Sequence, residues 1–287
     1  MKNIVKIAQS SPAQVGDGFF IRRAMPSGAV ELGEMSPFLV LDHAGPTDFP
    51  PSDIPKGVDV HPHRGFETVT ICYQGEIEHR DSGGNAGTIG VGDVQWMTAA
   101  SGVVHEEKHS REFTKQGGTI EMIQLWVNLP SQFKMTTPKY QEIKKADIPV
   151  LTVADGAGQV RVIAGAWGDT TGAASTFTTL NLLDMHLQTG ASVVVPVAEG
   201  HNAAVYVLDG ALRLEDGSQV EEGEIALMSS AGADIALEAV QGGKCLIMTG
   251  VPLNEPIASY GPFVMNTAHE IQQALQDYHT GKMGVLA

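Results

Sequence analysis

The sequence predicts an all-β protein built as two β-barrel units of jelly-roll type in tandem, with one helix near the C-terminus. Three observations carry that prediction. Short apolar runs alternate with turn residues along a chain of 287 residues that holds 33 glycines and 15 prolines, a composition suited to many strands and tight turns. A strand, glycine turn, strand pattern occurs twice: V-T-I-C-Y-Q-G-E-I then T-I-G-V-G-D-V-Q-W-M, and V-Y-V-L-D-G-A-L then S-Q-V-E-E-G-E-I-A-L-M. Two copies of one barrel unit account for it most simply. Clear helical periodicity surfaces once, close to the end.

In order along the chain, residues 1–130 form the first barrel, with strands expected at P-F-L-V-L-D-H (37–43), E-T-V-T-I-C-Y (67–73), D-V-Q-W-M (93–97) and T-I-E-M-I-Q-L-W-V-N-L (119–129). Turn residues Q-G, D-S-G-G-N and V-G-D separate them. The polar, proline-punctuated stretch 131–149 is the expected connector. Residues 150–287 form the second barrel, with strands from V-R-V-I-A-G (160–165) to K-C-L-I-M-T-G (244–250). A helix is expected over 268–280. Thr267 and Glu270 form a capping box, Ile271, Ala274, Leu275 and Tyr278 share one face, and Gly281 ends it.

The charge balance is acidic, 18 Lys and Arg against 33 Asp and Glu, for a net charge of −15. Such a surface repels phosphate backbones. The best basic cluster, Lys139 with Lys144 and Lys145, is broken by Glu142 and reads as a solvated face, so direct nucleic-acid binding is not expected. Cys72 and Cys245 each sit in an apolar run and read as small core residues in a reducing compartment. The N-terminal residues lack a continuous apolar stretch, and no segment is long enough to span a bilayer. A cytoplasmic protein without membrane association is expected.

The residues with the most chemistry are H-P-H-R-G-F-E, 61–67. Side chains at i and i+2 of a strand share a face, so His61 and His63 project together. Pro62 holds the segment extended and belongs at a strand start or edge. A second pair, His105 and Glu107, follows the Gly102 turn with the same spacing. On neighbouring strands these four groups would converge. Imidazole with carboxylate suits Fe, Mn, Ni or Zn better than Cu(I), and four protein ligands leave up to two open positions on an octahedral ion.

The motifs H-P-H-R-G-F-E-T-V and G-D-V-Q-W-M-T-A-A-S-G-V-V-H-E-E, with Q-L-W-V-N-L, Y-Q-E-I and G-P-F-V-M-N-T further on, resemble those of the pirin family, a branch of the cupin superfamily. The resemblance implies a bicupin fold with one iron in the N-terminal barrel. Carried over by motif, the ligands are His61, His63, His105 and Glu107, with Fe(II) the expected cofactor and Mn, Ni, Zn or Cu the alternatives. The general cupin pattern places its glutamate at the position of Glu67 instead; Glu107 is preferred because it alone repeats the i, i+2 pairing with a histidine. Glu67 remains open as a partner of a ligating histidine, as a pocket acid or in a salt bridge.

The resemblance further implies quercetin 2,3-dioxygenase activity. A planar aromatic enol of flavonol type would react with dioxygen, with Glu107 as the catalytic base for the 3-hydroxyl. The alternative it implies is an iron-binding, redox-sensing regulator acting through a protein partner. Upstream of its D-G turn at 209–210 the second barrel offers a single unpaired His201, and its later strand has no H-x-E, so it is expected to lack metal. Of the other histidines, His79 reads as a solvated strand residue and His109 as a loop residue, while His43, His186, His269 and His279 have no partner at ligand spacing. Phe66, Trp96 and Met97 are candidate pocket walls, though such residues are more often core.

Overall fold

The structure, a computed structural model, describes residues 1–286. The chain divides into two compact units with interleaved segments: residues 12–23, 40–145 and those from Asn254 onward form one, and residues 1–11, 24–39 and 146–253 the other.

The first barrel rests on a seven-stranded sheet in the order Lys139–Ile143, Val94–Thr98, Phe66–Gln74, Gly118–Asn128, Phe38–Phe49, Phe19–Met25 and Ser11–Val15. Against it packs a four-stranded sheet, in the order Gly57–His63, Val103–His109, Ile77–Asp81 and Ala86–Ile89. Strand alternation sorts the side chains. Phe66, Thr68 and Thr70 face the smaller sheet, whereas Glu67, Val69 and Ile71 face away, and all six are buried. Phe19, Ile21, Ala44, Ile77 and Met122 form an apolar cluster that joins the two sheets, each large side chain contributing roughly 1.5–3 kcal/mol by burial. The polar interior groups lie outside that cluster.

The second barrel is a nine-stranded antiparallel sheet around Asn202–Leu214 and Ile235–Gly250. Their pairing slips between Val207 and Asp209 and again between Gly210 and Leu212; such bulges bend strands and let a sheet curl over its own core. That core is aliphatic, including Val162, Leu183, Met185, Val205, Val207, Leu212 and Ile247, all fully buried. Two barrels and a C-terminal helix are therefore present as the sequence predicts.

The unit boundaries differ from the expected spans 1–130 and 150–287. Ile4–Gln9 pairs with Glu224–Met228 of the second barrel, and residues from Asn254 onward group with the first. The connector also differs, because Lys139–Ile143 extends the larger sheet by pairing with Val94–Thr98, Tyr140 opposite Met97. A local pattern reports which face of a strand is apolar and says nothing of which strand it pairs with.

The C-terminal helix spans Ala268–His279, with Thr267 and Glu270 making the full capping box and Gly281 at φ +75° just beyond its end. Ile271 and Ala274 pack with Val104, Phe263, Met265 and Met283. Val104 precedes His105 on its strand, so one face of that strand seats the helix and the other faces the barrel interior. Arg64 Nη1 donates to Asp277 Oδ2 of the helix at 2.9 Å, with the arginine only 4% exposed. The residue after His63 is thus pinned to the end of the chain.

Candidate metal centre

Three adjacent strands of the smaller sheet present a grid of polar side chains to the barrel interior. His105 stands opposite His61 on one side and Asp81 on the other, and Glu107 stands opposite His79. The pairing with Gly57–His63 slips between His105 and Glu107, which match His61 and Val58. This bulge leaves an extra residue on the histidine strand, a device that re-aims side chains.

The imidazoles converge. His61 Nε2 and His63 Nε2 lie 3.1 Å apart, and one ring nitrogen from each of His61, His63 and His105 falls within 4.8 Å of the others. The ring of His105 lies 4.3 Å from that of His61 and 4.8 Å from that of His63, centroid to centroid. His61 Nδ1 contacts the Asp59 carbonyl at 2.8 Å and His63 Nδ1 the Pro262 carbonyl at 3.3 Å. A carbonyl only accepts, so each Nδ1 carries the hydrogen and each Nε2 presents a lone pair inward. Two facing lone pairs repel unless an electrophile lies between them.

These residues fit a divalent ion on several grounds. Bonds of ~2.1 Å at a right angle place two nitrogens ~3.0 Å apart, close to the 3.1 Å observed. His105 Nε2 is buried with no hydrogen-bond partner, which is unfavourable for a polar atom unless it ligates. Burial, reinforced by the neighbouring imidazoles, holds His63 and His105 well below the ordinary histidine range. Both rings are therefore neutral near pH 7, as ligands must be.

Glu107 is 4% exposed. Gln124 Nε2 donates to its Oε2 at 3.1 Å, and Thr70 Oγ stands 3.2 Å from its Oε1. The carboxylate lies within 4.8 Å of ring nitrogens of His105 and His79. Neutral donors alone leave a buried carboxylate without counter-charge, which a cation would supply. Glu67 stands apart. It points to the opposite face of its strand and accepts from Thr98 Oγ1 at 2.6 Å, and burial pushes its pKa up to about 7. Of the four expected ligands, His61, His63 and His105 fall together, whereas Glu107 groups with His105 and His79 rather than with His61 and His63.

Beside Glu107 and Gln124 is a small, partly open cavity of about 30 Å³, lined also by Val15, Phe19, Ile21, Asp42, Val58 and Met122. It can hold a water or a diatomic molecule. His61 is partly exposed and marks the open side of the cluster. Phe66 and Trp126 stack at 4.2 Å and both meet the His63 ring edge-on. Of the candidate walls, Phe66 lines the site, Met97 packs with Ala99 and Val103, and Trp96 lies on the strand face turned away.

The turn that follows the histidines is built around Gly65. Its φ is +91°, and a Cβ there would fall 2.0 Å from the Val264 carbonyl, so no other residue fits. The buried Lys134 donates to the Gly65 and Val264 carbonyls at 2.7 and 3.0 Å and fixes that approach.

Several expectations need correction. His79 is 2% exposed rather than solvated, and it stacks on Tyr140 at 5.2 Å. His109 ends a strand and is likewise 2% exposed, contacting the Gly18 carbonyl at 3.0 Å. His43 is buried with Nε2 3.3 Å from Glu121 Oε1. Lys144 pairs with Glu142 and Asp93, which ties down the one basic cluster. Gln124, Thr70 and Trp126 were not anticipated, although a glutamine two residues from Met122 and Trp126 on one strand face is a legible anomaly. Among the described residues, every group of three or more convergent ligand-type side chains includes His105, and none lies in the second barrel. Among the described residues, no helix is long and apolar enough to cross a membrane.

Comparison with known proteins follows this geometry. A family model described as Pirin matches residues 18–127, and one described as Pirin C-terminal cupin domain matches residues 182–284. A Pseudomonas aeruginosa protein named "Putative quercetin 2,3-dioxygenase" is 51% identical over 93% of both chains. The crystal structure of a quercetin 2,3-dioxygenase from Acinetobacter baumannii is similar at 48% identity and TM-score 0.95, covering all of both chains. A pirin from Escherichia coli, solved in complex with nickel(II), is similar at TM-score 0.65 over 86% of this chain and all of its own. Its 18% identity supports the fold alone.

Proposed function

The chain belongs to the pirin family, and from that premise we propose that it is a metal-dependent dioxygenase that opens the oxygen-bearing ring of flavonol-like enols. The observation that carries the proposal is the convergence of His61, His63 and His105, two of them with Nδ1 committed to backbone carbonyls so that Nε2 faces inward. The resemblance to quercetin 2,3-dioxygenases supports the reaction class. We assign His61, His63 and His105 as ligands, Glu107 as fourth ligand and base, and Fe(II) as the ion, with Mn, Ni, Zn or Cu as substitutes.

Held by His61, His63 and His105, a divalent ion would supply Lewis acidity and, as iron, redox capacity. The remaining work falls to the protein. Glu107 accepts the proton of the flavonol 3-hydroxyl, and Gln124 and Thr70 hold its carboxylate in place for the transfer. A cavity of about 30 Å³ is far too small for a flavonol. The substrate therefore presents its enol edge from the side where His61 meets solvent, and the space beside Glu107 takes only a small molecule. Phe66 and Trp126 keep the His63 side of the cluster dry, which strengthens its hold on an anionic oxygen. Both atoms of dioxygen end in the ring-opened ester as C–O bonds form at C2 and C4, the C2–C3 and C3–C4 bonds break and C3 leaves with its oxygen as carbon monoxide; Glu107 returns its proton to that product.

The test follows quercetin absorbance under air with iron-loaded protein. Steady loss of the flavonol band, abolished by chelation and by His63→Ala, is the expected result. Absence of turnover in iron-loaded protein, together with metal-dependent capture of a protein partner, would replace the enzyme with a redox-sensing regulator.

A further inference from the structure

The three imidazoles are not held alike. His61 and His63 spend Nδ1 on backbone carbonyls, whereas the recorded neighbour of His105 Nδ1 is another ring, His79 Nδ1 at 3.4 Å. A neutral imidazole has one N–H and one lone pair. If His105 Nε2, buried and without partner, gives its lone pair to a cation, its hydrogen must sit on Nδ1 and point at His79. His79 must then accept at Nδ1 and carry its own hydrogen on Nε2, a buried atom that makes no hydrogen bond but faces the Asp81 carboxylate, with Oδ2 3.6 Å away. Asp81 is fixed in turn, accepting from Gly83 N at 2.8 Å and from Asn85 Nδ2 at 2.9 Å. Tyr140 stacks nearly parallel on the His79 ring, which restrains its plane.

The same logic bears on the second group of ligand-type side chains, His79, His105 and Glu107. His105 cannot offer a lone pair from both nitrogens while neutral, so the two groups cannot each hold a cation.

We propose that His79 is a positioning residue that fixes the tautomer and ring orientation of His105 through the contact between their Nδ1 atoms, with the Asp81 carboxylate beside His79 favouring its hydrogen on Nε2. This rests on the metal assignment above. It makes His105 the ligand whose donor strength depends on a side chain, where a backbone carbonyl serves the other two. Loss of such an outer partner weakens metal affinity about 10- to 100-fold.

The experiment loads apo protein with Co(II) alone and reads affinity by competition with a chelator, stoichiometry, and the visible Co(II) bands. His79→Phe keeps a flat ring against Tyr140 and removes both nitrogens. It is expected to bind one Co(II) per chain 10- to 100-fold more weakly than the parent, with shifted bands. His79→Asn, whose amide oxygen replaces Nδ1 as acceptor, is expected to recover most of the affinity. His79→Leu makes the same comparison should the phenylalanine variant fail to fold. Three results would overturn the proposal: parental affinity and bands in His79→Phe, complete loss of Co(II) in both His79→Phe and His79→Asn (a ligand's behaviour), or two Co(II) per parent chain. His63→Ala separates the premise, since undiminished Co(II) binding there removes the centre itself and His79's role with it.

Discussion

Replacing Glu67 with glutamine isolates one buried carboxyl and tests the site assignment as well. Glu67 is fully buried on the strand face turned from the histidines, and burial raises its pKa from 4.5 to about 7. In the unfolded chain it ionises near 4.5, so between 4.5 and about 7 the folded state binds more protons and stability falls as pH rises. Below that window the carboxyl is neutral in both states and has no effect. Above it the full penalty applies: at ~1.4 kcal/mol per pH unit, roughly 3.5 kcal/mol as an upper bound. Glutamine keeps the shape and the acceptor for Thr98 Oγ1 without the charge. Urea denaturation of metal-free protein, followed by tryptophan fluorescence, should give equal stability for Glu67→Gln and parent at pH 4 and a variant more stable by up to ~3.5 kcal/mol at pH 8. Co(II) affinity should be unchanged at both. A variant less stable at pH 8, or one that loses its metal, would refute the reasoning and return Glu67 to the ligand set.

Two further substitutions address other parts of the account. Glu107→Gln should keep bound metal through the three imidazoles and lower kcat for quercetin by about 10²–10⁴-fold, measured by stopped-flow absorbance under air; full ring cleavage with metal retained would exclude Glu107 as base. Asp277→Ala removes the carboxylate partner of buried Arg64. It should cost roughly 3 kcal/mol in urea denaturation and speed metal release, because Arg64 adjoins His63; a change below about 1 kcal/mol would mean that the helix does not secure the motif.

Much of this was legible in the sequence, for identifiable reasons. The two histidine pairs were readable because strand periodicity places i and i+2 on one face, and His61, His63 and His105 do meet. The C-terminal helix was readable because a capping box is local chemistry. Partnership across the fold was not. Nothing near Ile4–Gln9 says that it pairs with Glu224–Met228, and nothing in Y-Q-E-I says that Tyr140 lies over His79. His79 looked solvated among E-H-R-D because its neighbours are charged. Its own side chain takes the inner face of that alternation, opposite Glu107. The Pro262 carbonyl, about two hundred residues from His63, illustrates the general case, since its role follows from topology alone.

The most direct test of the central claim is elemental analysis of untagged protein purified without added metal, run in parallel on the parent and on His61→Ala and His105→Ala. The account predicts about one transition-metal ion per parent chain and almost none in either variant. A metal-free parent that still consumes quercetin, or variants that retain the ion in full, would contradict it.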